Sequence, residues 1–411
     1  MLQQLKLFNV GPANSWVLNP LAERLNLITG DNGLGKSFLL DVAWWALSRK
    51  WPYDLNAKLT SGYAARPSDV KQPAKICFEN PVRSRYESTY IAREQSWQGP
   101  AGRPLHSGLV IYARADGSFA IWDSARNYWR KQGKNDVQDT VPAYVFSSQE
   151  LWYGLDVMRG DKQVRACNGL VTDVISWVHG KGEDAERMAS VLSLLSPIGE
   201  ELKLSGEIGR MSLNDVRDVP KIRTPNGQDV LLPHAGSSIR RVVALAYILS
   251  WAWREHLAAS EQLGEEPSPN FVLLLDDLEA HLHPSWQRLL LPSLMKIATT
   301  LTGNPSAQVQ IIATTHSPLV LASIEPHFES SADALWTLDK VEDHVEITRQ
   351  TWQKRGDVVM WLISEVFGET SPYSIEAEFV MNEARQLMSV QEVTSEQIES
   401  TRSEEHTSEL Q

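Results

Sequence analysis

FVLLLDDLEAHLHP, Phe271 to Pro284, decides how this chain is read. Five apolar residues run into Asp276 and Asp277, the pattern of a buried parallel strand that delivers a carboxylate to the carboxyl edge of an open α/β sheet. Ligands bind at that edge, and a carboxylate placed there suits a Mg-nucleotide. The alternative is a core strand followed by a solvated acidic turn, and two other segments weigh against it.

The first is GDNGLGKS, comprising Gly30, Asp31, Asn32, Gly33, Leu34, Gly35, Lys36 and Ser37, which fits G-x-x-x-x-G-K-[ST] in full. Apolar Leu25–Ile28 precedes it and a run with helical spacing, Phe38–Leu47, follows, giving the strand–loop–helix context this motif requires. The glycines let backbone N–H groups turn toward phosphate oxygens, and the helix N-terminus adds partial positive charge. Lys36 is expected to reach the β- and γ-phosphates and the Ser37 hydroxyl to bind Mg2+. The second segment is QVQIIATTHSPLVL, Gln308 to Leu321, another strand pattern, which ends at Thr314, Thr315 and His316. A neutral imidazole offers one donor and one acceptor, so His316 suits contact with a γ-phosphate.

Composition sets looser bounds. The 411 residues allow one large α/β domain or two, and a hydrophobic content of 42% suits a packed core. No window is long and apolar enough to span a bilayer, and MLQQLKLFNV lacks the layout of a signal peptide, so a cytoplasmic protein without a membrane partner is expected. Cys77 and Cys167 match no metal spacing and are expected to be reduced. The net charge of −12 argues against a surface that coats nucleic acid. Two basic clusters, Arg130 to Lys134 and Arg210, Arg217, Lys221 and Arg223, read first as solvated surface and leave DNA contact open, indirect or weak. The final ten residues, Arg402 to Gln411, resemble the translation of a sequencing-adapter oligonucleotide. The natural chain is accordingly expected to have continued past Thr401.

The order of parts resembles the ABC-type ATPases of the SMC, RecF, Rad50 and OLD branch, over most of the chain. LLLDDLEAHLHPSWQRLLLPSLMKI followed by IIATTHSP is most similar to stand-alone bacterial AAA-family ATPases of phage-defence systems, such as the Septu and retron-associated ATPases. The resemblance implies an α/β P-loop NTPase: an ABC-type head with a mixed sheet, an antiparallel β lobe and a helical insertion. No heptad pattern between Ser37 and Asp276 calls for a long coiled coil. On this reading residues 1–50 form the N-terminal lobe with the phosphate loop, and 51–235 a β-rich and helical insertion with the Q-loop region. Residues 236–350 carry the signature helix, the acidic strand, the D-loop and the switch histidine; 351–401 form a helical C-terminal segment, and 402–411 are the artefact.

Carried over to this sequence, the resemblance implies ATP and Mg2+ as cofactors, with Asp276 and Ser37 holding the metal and Asp277 at the position of the general base. His316 becomes the switch histidine, and Gln149, at the end of the predicted strand in PAYVFSSQELW, the Q-loop candidate that links metal and lobe interface. Gly236, Ser237 and Ser238 stand at the signature loop, which in the family reaches the partner subunit's nucleotide; AGSS leaves open which serine makes the contact. The segment Asp277 to His283 is the expected D-loop. ATP then acts as glue in a homodimer, and a partner nuclease in antiviral defence is the expected output.

The branch normally carries Glu where this chain has Asp277, one methylene shorter. Either Glu279 supplies the missing reach or turnover is slow, and slow hydrolysis is the expectation, because a base misplaced by about an ångström costs on the order of a hundredfold. Two alternative functions are an OLD-type nuclease whose TOPRIM domain would follow the ATPase, and a RecF-like repair clamp that binds DNA directly.

Overall fold

The computed structural model describes residues 1–81, 83–98, 108–127, 131–132, 136–137, 141–159, 161–368 and 370–389. Arg130 and residues 133–134 of the first basic cluster, and the adapter-like tail, lie outside them. The chain divides into two compact units, Met1–Lys354 and Arg355–Gln411.

The first unit opens with β1 (Gln4–Val10), β2 (Ala13–Leu18) and β3 (Leu25–Gly30), then α1 (Lys36–Ser48) and a short α2 (Pro52–Leu55). Next come β4 (Lys75–Asn80), β5 (Arg83–Ile91), β6 (Ser96–Gln98), β7 (Leu109–Ala113) and β8 (Phe119–Asp123). A two-stranded ladder of β9 (Lys131–Gln132) and β10 (Asp136–Val137) precedes β11 (Tyr144–Phe146) and α3 (Ser148–Tyr153). The hairpin β12 (Leu155–Arg159) and β13 (Lys162–Cys167) leads to α4 (Leu170–Gly180) and α5 (Glu183–Leu195). A three-stranded sheet of β14 (Lys203–Gly209), β15 (Val219–Arg223) and β16 (Asp229–Leu231) follows. The long α6 (Ser237–Leu263) runs into β17 (Asn270–Leu275), α7 (Pro284–Leu294), α8 (Ile297–Thr302), β18 (Gln308–Thr314), α9 (Pro318–Ile324), β19 (Asp333–Val341) and β20 (His344–Gln350).

Thirteen strands form one mixed sheet in the order β11-β8-β7-β17-β18-β3-β19-β20-β2-β1-β4-β5-β6. Its centre, β7-β17-β18-β3-β19, is wholly parallel, which explains why these strands are apolar on both faces. Alternate residues face opposite layers. Val110, Tyr112, Val272, Leu274 and Ile312 join the cluster around α1, whereas Phe271 and Phe119 face α6 through Trp253 and Arg241. Because α1 lies inside this cluster, its residues from Leu39 to Ser48 are buried all round. The fold is a P-loop α/β sheet, and its parallel strands all present their carboxyl ends along one edge.

Residues 51–235 do not stand apart as one insertion. Strands β4 to β6 extend the antiparallel lobe that β1 and β2 begin, while β7, β8 and β11 enter the central sheet beside β17. Such pairings are set by contacts between distant segments, which composition does not reveal. The antiparallel lobe meets the parallel core where β2 pairs β20 in parallel through Ala13 and Val345, reinforced by the Trp16 indole donating to the Val345 carbonyl at 2.8 Å.

The second unit holds α10 (Val358–Leu362), capped by the Asp357 side chain accepting from the Met360 N–H at 2.9 Å, and α11 (Ile375–Ser389). Among the described residues no helix is long and apolar enough to cross a membrane.

Candidate functional site: a composite phosphate and metal site

The loop between β3 and α1 is shaped by close approach. Gly30 has φ 133°, and a Cβ there would lie 2.3 Å from the Leu338 carbonyl of β19, so no other residue fits. Gly35, at φ 98°, packs on Pro12 and Trp16 of the N-terminal strands. Asp31, Asn32 and Gly33 are exposed at the loop tip, and Leu34 packs back on the core. Lys36 is buried and folds over the loop, its ammonium donating to the carbonyls of Gly30 at 2.8 Å and Asp31 at 2.7 Å. Burial pushes the Lys36 ammonium below its ordinary pKa, while Asp277, Asp276, Asp31 and Glu279 pull it back up.

Asp276 leaves the end of β17, 4% exposed, with its N–H held by the Ala113 carbonyl of β7 at 2.9 Å. Its Oδ1 accepts from the Ser37 hydroxyl at 2.9 Å and from the Thr314 hydroxyl at 3.0 Å. Burial raises its pKa first and the adjacent Asp277 second; the two hydroxyls and Arg114 oppose them. A hydroxyl and a carboxylate this close are hard oxygen donors of the kind Mg2+ takes, and Mg2+ needs only one or two protein oxygens when phosphates and water complete its shell. The residues present fit that ion.

Asp277 sits beside it in the left-handed region, φ 46°, an uncommon conformation for a residue with a side chain. Its N–H donates to the Thr314 hydroxyl at 2.9 Å, and its Oδ1 lies 3.7 Å from Nε2 of His316, with both side chains about one-third exposed. Glu279 is engaged differently. Its Oε2 accepts from the Thr315 hydroxyl at 2.7 Å and its Oε1 from the His316 backbone N–H. Gln287 adds a parallel tie, accepting from the Ser317 hydroxyl at 2.8 Å and donating to the Leu282 carbonyl at 3.0 Å. Thr314, Thr315 and Gln287 were not singled out from the sequence; the only local signal is two hydroxyl residues in a row before His316.

At α6, Gly236 is the cap and Ser237 the first helical residue, both exposed. Ser238 is tied within the subunit: its hydroxyl donates to the His281 carbonyl at 2.8 Å and accepts from the His283 N–H at 3.1 Å. Ser237 instead lines a cavity of about 210 Å³ with Arg240, Arg241, His281 and Asp116.

Gln149 is not brought to Ser37 and Asp276. It is exposed on the first turn of α3, after the outermost strand β11, and β8 and β7 intervene between β11 and β17. The strand beside Asp276 is β7, which ends at Ala113 and is followed by Arg114. That buried guanidinium donates to Oδ1 of Asp41 on α1 at 2.6 Å and to the Ser61 hydroxyl, and the Tyr112 hydroxyl donates to the same Asp41 oxygen at 3.1 Å.

Residues 25–322 match the family described as "AAA domain, putative AbiEii toxin, Type IV TA system". The chain is 22% identical over 396 residues to the Septu protein PtuA of Bacillus thuringiensis, covering 92% of this chain and 87% of that protein. It is 21% identical over 183 residues to the Retron Vc95 probable ATPase of Vibrio cholerae serotype O1 biovar El Tor, 39% of this chain and 34% of that protein. The match thus spans about a third of the retron relative's length. Among solved structures, the SmcHead bound to the C-winged helix domain of ScpA is similar over 85% of this chain and 97% of its own, with 14% identity and a TM-score of 0.42. The SMC head domain from Thermotoga maritima is similar over 85% and 99%, with 16% identity and a TM-score of 0.37.

Proposed function

The chain belongs to the AAA-domain family that its residues 25–322 match, and from that premise we propose that it is a slow ATPase that closes as an ATP-dependent homodimer to control a partner nuclease in defence. The observation that supports this most directly is the convergence of Ser37, Asp276 and Thr314 within 3.0 Å, under a lysine folded over the phosphate loop.

In the proposed reaction the loop amides and Lys36 cradle the phosphates, and Lys36 exchanges its bonds to the Gly30 and Asp31 carbonyls for phosphate oxygens. Ser37 and Asp276 would hold Mg2+, which neutralises charge on the β- and γ-phosphates. Asp277 takes the attacking water's hydrogen bond while His316, 3.7 Å from it, steadies the γ-phosphate and that water. Water then bonds to the γ-phosphorus as the bond to the β–γ bridging oxygen breaks, its proton passing to Asp277 and on to solvent, and ADP and inorganic phosphate leave. Ser237, exposed and not tied as Ser238 is, is the signature serine that meets the partner's γ-phosphate. The Septu and retron names of two relatives support an output in defence.

Light scattering with purified protein tests the reading. A monomer alone and a dimer with Mg-ATP are expected, with the dimer lost in K36A and accumulating in D277N. D277E, which restores the missing methylene, is expected to raise turnover by about tenfold or more at unchanged ATP affinity. An unchanged mass with and without Mg-ATP would rule out the clamp, and parent turnover of tens per second would rule out the slow switch.

A further inference from the structure

We propose that Glu279 is a positioning residue for hydrolysis, one that fixes His316 through the backbone rather than serving as a substitute base. This rests on the ATPase reading above. Both carboxylate oxygens are committed: Oε2 to the Thr315 hydroxyl and Oε1 to the His316 N–H. The Thr315 hydroxyl in turn accepts from the Ser317 N–H at 3.0 Å, so one carboxylate organises the three residues that follow β18. A bond from a backbone N–H to an ionised carboxylate is roughly twice as strong as a neutral one. It therefore fixes where the His316 imidazole leaves the chain, 3.7 Å from Asp277 Oδ1. Each Glu279 oxygen already accepts a bond from the protein, which holds the carboxylate toward the Thr315–His316 backbone.

The turn that carries Glu279 is anchored at its other end to α6. The His281 carbonyl and the His283 N–H both bond the Ser238 hydroxyl, and inside the turn the Leu282 N–H donates to the Glu279 carbonyl at 2.9 Å. The first turn of α6 and the histidine are thus two ends of one hydrogen-bonded strut. Any shift of α6 against a second subunit reaches His316 through Glu279.

The test is a double-mutant cycle in the full chain, with Mg-ATP hydrolysis, ATP binding and melting measured for E279Q, H316A and E279Q/H316A. Gln keeps length and volume but sets an amide donor against a donor. E279Q is expected to lower kcat at least tenfold with KM and ATP affinity within twofold, and to cost less than twofold more in the H316A background. A kcat within twofold of the parent overturns the proposal. So does a tenfold loss that persists without His316, which would mean that Glu279 acts on the water itself. Equal losses of melting temperature and KM in both backgrounds would reduce it to a structural residue. Selective 15N-histidine labelling gives a readout independent of turnover: the His316 amide resonance, assigned by its loss in H316Q, must move in E279Q. A parent that binds ATP but never hydrolyses it sinks the ATPase reading, and with it the catalytic role of the strut. An unmoved amide beside an active parent sinks the strut alone.

Discussion

Asp276 carries an electrostatic cost on folding. Folding buries its carboxylate beside Asp277 and raises its pKa above the ordinary 3.8. A carboxyl with a raised folded pKa favours the fold below its unfolded value and loses that contribution as pH climbs through the folded one, so at neutral pH its charge opposes folding. D276N keeps an oxygen for the Ser37 and Thr314 hydroxyls and removes the charge; it is expected to stabilise the nucleotide-free protein by about 1 kcal/mol at pH 7.5. That gain should vanish as pH falls toward 3.8, and Mg-ATP should raise the melting temperature of the parent but not of D276N. Melting curves at both pH values decide it: a D276N protein less stable than the parent at pH 7.5 contradicts the assignment. At this scale the sequence was informative where chemistry is local. GDNGLGKS names its own loop because the motif is contiguous, even though Gly30, Gly35 and Ser37 also meet Leu338, Pro12 and Asp276 from distant segments. Glu279 was harder to read, since its partners Thr315 and His316 lie 36 and 37 positions away and only β17–β18 pairing brings them together.

Among elements, α1 and β7 are joined by the Asp41–Arg114 pair, with Arg114 2% and Asp41 8% exposed. Breaking a buried pair strands a charge, which costs about 3–5 kcal/mol. R114L should therefore lower unfolding stability in urea by that amount, and D41L/R114L should recover part of it because no charge is left alone. A single-mutant loss below about 1 kcal/mol would mean that the pair does not hold α1 in place. Gln149 was a candidate because a strand followed by Gln suits a Q-loop, but which strand lies beside Asp276 is a matter of sheet order. The apolar pattern of Leu109–Ala113 fits an insertion hairpin as well as it fits a core strand, and only the parallel register Leu275↔Ala113 separates them.

At the scale of the whole molecule, the described basic cluster is neutralised by its own neighbours. Each member of the described basic cluster faces an acid: Arg210 with Asp218, Arg217 with Asp215, Lys221 with Glu207 and Arg223 with Asp229, at 2.7 to 3.1 Å. Paired cations release few counterions, so the isolated protein should bind a labelled duplex with a log–log salt slope shallower than about −2 between 50 and 200 mM, where each phosphate neutralised contributes about −0.9. A slope of about −4 or steeper in fluorescence anisotropy would restore the repair-clamp alternative. The sequence showed the basic residues but not their partners, because the strands of β14–β16 have to pair before Lys221 meets Glu207. The narrow join between β2 and β20, a single rung at Ala13 and Val345, has a mechanical consequence. It is a crease in an otherwise continuous plate, and the strand on its far side carries Trp16, which with Pro12 rests on Gly35. A load on the antiparallel lobe would bend the plate there first, and the lever so formed would press on the glycine loop at Gly35.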